Sequence, residues 1–128
     1  MIKPFHLSLV VPSLDEAKEF YINLIGCKKG RDTGNWIDII FFGHQITLHQ
    51  EREGMVAMPI DHFGAILDKQ EWNNISGLFS SHGVKFEMSP SIKQEGTGTE
   101  SGKFIVKDPA DNVLEFKYYV DFNTTFNC

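Results

Sequence analysis

Three side chains of metal-ligating type stand far apart in this chain: His6 in "PFHLSLVV", His62 in "DHFGAIL" and Glu115 in "NVLEFKYYV". Each stretch alternates apolar and polar residues, the pattern of a half-buried strand whose neighbouring side chains point to opposite faces. His6 and Ser8 lie opposite Phe5, Leu7 and Leu9. His62 and Gly64 lie opposite Phe63, Ala65 and Leu67, and Glu115 and Lys117 lie opposite Leu114, Phe116 and Tyr118. If the polar faces curl onto a shared surface, His6, His62 and Glu115 converge. Two imidazoles and a carboxylate with open coordination suit non-haem Fe(II), and also Mn, Ni, Co or Zn. In "QITLHQ", Gln45, Thr47 and His49 share the polar face. His49 is therefore a candidate fourth ligand or acid/base group. Gly64, with no side chain, is expected to clear space there for a ligand.

Any one of these histidines alone is more readily a structural or solvated residue, and Glu115 alone a solvated residue that Lys117 pairs weakly. What lifts the set is that every member lies on the polar side of its strand. His44, in an expected Gly43-His44 turn, and His82, near a helix end, are assigned structural roles. Cys27 reads as a packed thiol.

The elements that must position these groups come in one order, twice. A first strand (4–11) precedes "PSLDEAKEFYINLIGCKK", where Ser13 and Glu16 form a capping box. Leu14, Ala17, Phe20, Tyr21 and Leu24 recur at helical spacing, and Gly26 is the stop. A short strand from Cys27, then "NWIDIIFF" and "QITLHQ", complete the first set. The second set is "HFGAILD", a helix in "KQEWNNISGLFSSHG" capped by Asp68 with Glu71, the short strand "VKFEMSP", a mobile polar loop "IKQEGTGTESG", and the strands "KFIVKD" and "NVLEFKYYV" joined by the turn-rich "DPADN". Trp72, Ile75, Leu78 and Phe79 are expected in the core. The chain thus reads as one domain over residues 1–128: a module at 5–51, a linker at 52–61, a second module at 62–120 and a tail at 121–128. Helices inserted at matching points of a mostly antiparallel sheet indicate α+β.

Composition bounds the function. The 128 residues are 41% hydrophobic and carry a formal charge of −5, with no basic run, so no nucleic-acid partner is expected. No apolar stretch is long enough for a membrane span, and no signal-peptide pattern opens the chain. Two cysteines, Cys27 and Cys128, make no disulfide framework, which favours a cytoplasmic, reducing setting. Cys128 is expected to be mobile.

The stretches "FHLSLVVPSLDEAKEFYINLIGCK", "GHQITLHQ", "DHFGAIL" and "FIVKDPADNVLEFKYY" resemble the vicinal oxygen chelate superfamily, the glyoxalase/bleomycin resistance protein/dioxygenase family. The resemblance runs from Phe5 to Tyr119. It implies two βαβββ modules in a curved, half-open mixed-sheet barrel with helices on the convex side. It implies one divalent metal on His6, His62 and Glu115, with the variable fourth position falling near His49. It also implies a homodimer, in which small members often complete each cavity with the partner chain.

Three chemistries follow from the resemblance. The first, which we favour, is a lyase or isomerase of glyoxalase type, in which the metal polarises the oxygens of a small-molecule substrate and Glu115 or His49 moves a proton. The second is an Fe(II)-dependent ring-cleaving dioxygenase. The third is a metal-free binding protein of resistance type; bleomycin binders lack the metal trio. Ser8, Trp36, Asp38, Thr47, Gly64 and Lys117 are the candidate cavity lining.

Overall fold

The computed structural model describes residues 4–58 and 60–122. The expectations for the end of the tail, Cys128 included, lie outside the described residues. Among the described residues, eight strands form two open, four-stranded mixed sheets. The first contains β1 (His6–Val11), β2 (Lys28–Asp32), β3 (Trp36–Phe41) and β4 (His44–Gln50) in the order β1-β4-β3-β2. The second contains β5 (Phe63–Leu67), β6 (Phe86–Lys93), β7 (Ser101–Lys107) and β8 (Val113–Tyr119) in the order β5-β8-β7-β6. Each sheet has one parallel pair, β1 with β4 and β5 with β8. A helix follows the first strand of each set: α1 (Leu14–Lys18) and α2 (Lys69–Ser81). The chain divides into two compact units, Met1–Ile60 with Asp108–Asn112, and Asp61–Lys107 with Val113–Cys128. Among the described residues no helix is long and apolar enough to cross a membrane.

In the first unit, alternation produces the expected burial. Leu9, Val11, Ile37, Ile39, Phe41, Ile46 and Leu48 are buried, whereas His6 and Ser8 are exposed. Ser13 caps α1 through the Glu16 N–H. A regular helix does not run on to Gly26. From Glu19 to Leu24 the chain winds as a π-helix, with the Ile25 N–H donating five residues back to Phe20. The wider turn puts the adjacent Phe20 and Tyr21 both into the core. The hairpin turn falls one residue earlier than Gly43-His44. Phe42 and Gly43 take positive φ (48° and 86°), as a tight two-residue hairpin demands. His44 instead opens β4, and its Nδ1 accepts the Phe5 N–H at 2.7 Å.

In the second unit, α2 is capped by Asp68 as expected. Its Trp72 and Phe79 pack on Phe104, Phe116 and Tyr118, and the Trp72 indole donates to the Phe116 carbonyl. Leu78, expected in the core, is 39% exposed. The strand beginning at Phe86 is longer than the sequence indicates. It runs through Pro90 to Lys93, because Pro90 lies on an edge strand at a shift in register between Met88 and Ser91, where no ladder donor is needed. The following segment is anchored rather than free. Glu100 is buried and accepts from the Gly96 N–H and the Tyr118 hydroxyl, and it pairs with Lys69 at 2.8 Å.

Candidate metal and substrate site

The parallel pairing of β5 on β8 sets Gly64 against Glu115. A Cβ built on Gly64 would lie 1.6 Å from the Glu115 carbonyl oxygen. The glycine is therefore needed for the close approach of two backbones, which corrects the expectation that it clears room for a ligand. His62, just before β5, is carried to the Glu115 side chain by that approach. Its Nε2 lies 3.0 Å from Glu115 Oε2, and its Nδ1 lies 2.5 Å from Asp61 Oδ2. The other carboxylate oxygen of Glu115 is 3.9 Å from Lys117 Nζ. Glu115 is mostly buried, while His62 keeps about half of its side chain open to solvent. Lys117 also stands over the Tyr119 ring, 5.5 Å from its centre. A hydrogen bond with Tyr119 is the main cause that raises the Lys117 pKa; partial burial opposes it.

In the first sheet the register lines up Ser8, Thr47 and Asp38 in one row, and Val10, His49 and Trp36 in another. Asp38 is buried and held by Thr47 at 2.8 Å and Arg31 at 2.7 Å. Burial opposes its ionisation, but those hydrogen bonds and the charges of Arg31 and His6 keep its carboxyl below the usual range. Arg31 also covers the Trp36 ring at 5.0 Å. Gln45, not His49, stands opposite His6. His49 lies four residues further along, roughly 13 Å at about 3.3 Å per residue. His49, expected as a fourth ligand or acid/base group, lies beside Trp36, with 6.3 Å between ring centres.

No protein-family model and no curated protein matches the chain. Among solved structures, the glyoxalase/bleomycin resistance protein/dioxygenase from Alicyclobacillus acidocaldarius superposes with a TM-score of 0.79 at 35% identity, covering 97% of this chain and 96% of that one. The chain belongs to the glyoxalase/bleomycin resistance protein/dioxygenase family. Two further structures show the same fold at 16% identity. They are a fosfomycin resistance protein from Listeria monocytogenes (TM-score 0.66, covering 92% of this chain and 94% of that one) and a lactoylglutathione lyase from Agrobacterium tumefaciens (0.64, 95% and 97%). The βαβββ order taken twice is thus the fold of this family, the vicinal oxygen chelate fold, whose members commonly use a divalent metal.

Whether this family member's own residues suit such an ion is decided at His62 and Glu115. Two donors each about 2.0–2.2 Å from one ion and at right angles around it are about 3 Å apart. His62 Nε2 and Glu115 Oε2 have that separation. Asp61 fixes the ring from the other side. An Nδ1–H donated to a carboxylate leaves the Nε2 lone pair for a cation, the usual support of a metal-bound histidine. In that tautomer the Nε2 lone pair faces Glu115 Oε2, the arrangement in which both atoms could hold one cation. The pair fits the group. Among the described residues no cluster of three or more His, Cys, Asp or Glu side chains forms a complete metal site. His6 stands exposed on β1 in the first unit.

Three polar groups carry little signal of their role in the sequence: Asp61, Glu100 and Asp108. Asp108 is buried and accepts from the Tyr21 hydroxyl at 2.8 Å and from the Ala110 and Asn112 N–H groups. The only signal for it was its place before Pro109 in a turn.

Proposed function

We propose that this family member is a divalent-metal-dependent enzyme of lyase or isomerase type, acting on a small substrate that presents oxygen to the metal. The observation that carries the reading is the contact between His62 Nε2 and Glu115 Oε2 at 3.0 Å, with Asp61 behind the imidazole. His62 and Glu115 would hold the ion. The ion, when bound, supplies Lewis acidity toward negative charge developing on a substrate oxygen.

The chain's own groups do the rest. Asp61 sets the tautomer and orientation of His62. Glu115 divides its oxygens: Oε2 faces His62, and Oε1 faces Lys117. Oε1 is the acceptor suited to taking a proton from carbon beside a carbonyl, and Lys117 at 3.9 Å stabilises its charge between turnovers. Asp38 is committed to Arg31 and Thr47, so in this reading it shapes the first sheet and is not the base.

Elemental analysis of protein purified without chelator tests the reading. We expect close to one divalent ion per chain in wild type and loss of it in His62→Ala. Equal metal content in the two would remove the proposal.

A further inference from the structure

Beyond Glu115, the same face of the second sheet continues into a polar pocket of about 170 Å³, lined by Ser91, Lys93, Ser101, Lys103, Lys117 and Tyr119. The register explains its composition. Ser91, Lys103 and Lys117 are directly opposite one another across β6, β7 and β8, and Lys93, Ser101 and Tyr119 form the next row. Three ammonium groups and three hydroxyls therefore occupy two rows on one face. Like charges directly opposite on antiparallel strands, with Cβ atoms about 4.5–5.5 Å apart, destabilise a sheet. Here Lys103 faces Lys117. Lys117 is partnered by Tyr119 and, at longer range, by Glu115, but neither Lys93 nor Lys103 has an ion pair among the described residues. Repulsion concentrated in a concavity and only partly compensated by the fold is a pattern expected of a ligand site. The volume is below the roughly 300–1,000 Å³ of a drug-sized ligand site and suits one functional group.

We infer that this pocket binds a tetrahedral oxyanion of the phosphate class, held by Lys93, Lys103 and Lys117 and oriented by the hydroxyls of Ser91, Ser101 and Tyr119. A planar carboxylate offers two oxygens, whereas these six donors lie on three strands and call for an anion with acceptors in several directions. As an anion site it stands alone. As a substrate subsite it rests on the metal reading above: it defines the substrate as a small phosphate-class molecule whose oxygen-bearing end extends along β8 toward His62 and Glu115.

The test is calorimetric titration of the full chain with inorganic phosphate, at constant ionic strength and with chelator present so that no metal bridges. We expect saturable binding that also raises the melting temperature. Lys103→Met should weaken binding about tenfold or more, the scale of one charge-assisted hydrogen bond, yet melt no lower than wild type without phosphate, because a repulsion has gone. Lys103→Arg should retain most of the binding, and Lys28→Met, in the first unit, should leave it unchanged. His62→Ala should also keep phosphate binding, so loss of the metal reading and loss of this inference are separate results. Absence of saturable binding at millimolar phosphate, equal weakening by Lys28→Met, or tighter binding of acetate than of phosphate would each overturn it.

Discussion

Gly64 and Glu115 are joined backbone to backbone: no side chain at residue 64 can coexist with the Glu115 carbonyl oxygen, which a Cβ would approach to 1.6 Å. The pairing of β5 with β8, and with it the meeting of His62 and Glu115, depends on that approach. Gly64→Ala is therefore predicted to cost about 3 kcal/mol or more, at the upper end of overpacking changes, because backbone cannot rotate away as a side chain can. Gly77, inside α2 with nothing within 4 Å of its would-be Cβ, is the control. Gly77→Ala is predicted to stabilise by about 0.5–1 kcal/mol. Chemical denaturation of the two variants checks both signs.

Glu100 gives the fold a pH dependence. The Gly96 N–H, then Lys69 and the Tyr118 hydroxyl, hold its carboxyl at about 2 against an ordinary 4.5. A group with its pKa lowered in the folded state contributes stability that is fully present above the ordinary value and lost as pH falls toward the lowered one. Melting temperature is predicted to fall from pH 4.5 toward pH 2. Glu100→Gln should be less stable at neutral pH and should flatten that part of the curve.

Tyr21→Phe is predicted to destabilise by about 1.5–3 kcal/mol, the range for a buried hydrogen bond to a charged group. The Tyr21 hydroxyl donates to Asp108 Oδ2 at 2.8 Å in a fully buried setting. Denaturant unfolding of the variant measures the loss.

Burial pushes the Cys27 thiol up to about 12. In a Cys128→Ser background, Cys27 is predicted to react with a disulfide reagent at pH 8 far more slowly in native protein than in denatured protein. Comparable rates would show that the thiol is not packed as described.

What the sequence made legible follows period and capping. Alternation in "PFHLSLVV" and "NVLEFKYYV" assigned both faces of β1 and β8, and Ser13 and Asp68 marked both helix starts. What it hid depends on partners. The role of Gly64 cannot be read without knowing that β8 lies beside it. That Gln45 and not His49 stands opposite His6 follows from the β1–β4 register, which no local pattern specifies. Pro90 reads as a strand end, because nothing local says that β6 is an edge. Glu100 sits among Gly and Thr in a stretch that reads as solvated loop, and its burial comes from Lys69 and Tyr118, distant in the chain. The lysine rows were likewise scattered letters until β6, β7 and β8 were aligned.

If His62 and Glu115 bind one divalent ion together, titration of chelator-treated protein with Co(II) or Mn(II) measures that binding. One ion per chain is expected for wild type, no specific binding for Glu115→Gln or His62→Ala, and an affinity about 10–100-fold weaker for Asp61→Asn, which removes only the support behind the imidazole. Wild-type stoichiometry and affinity in both ligand variants would contradict it.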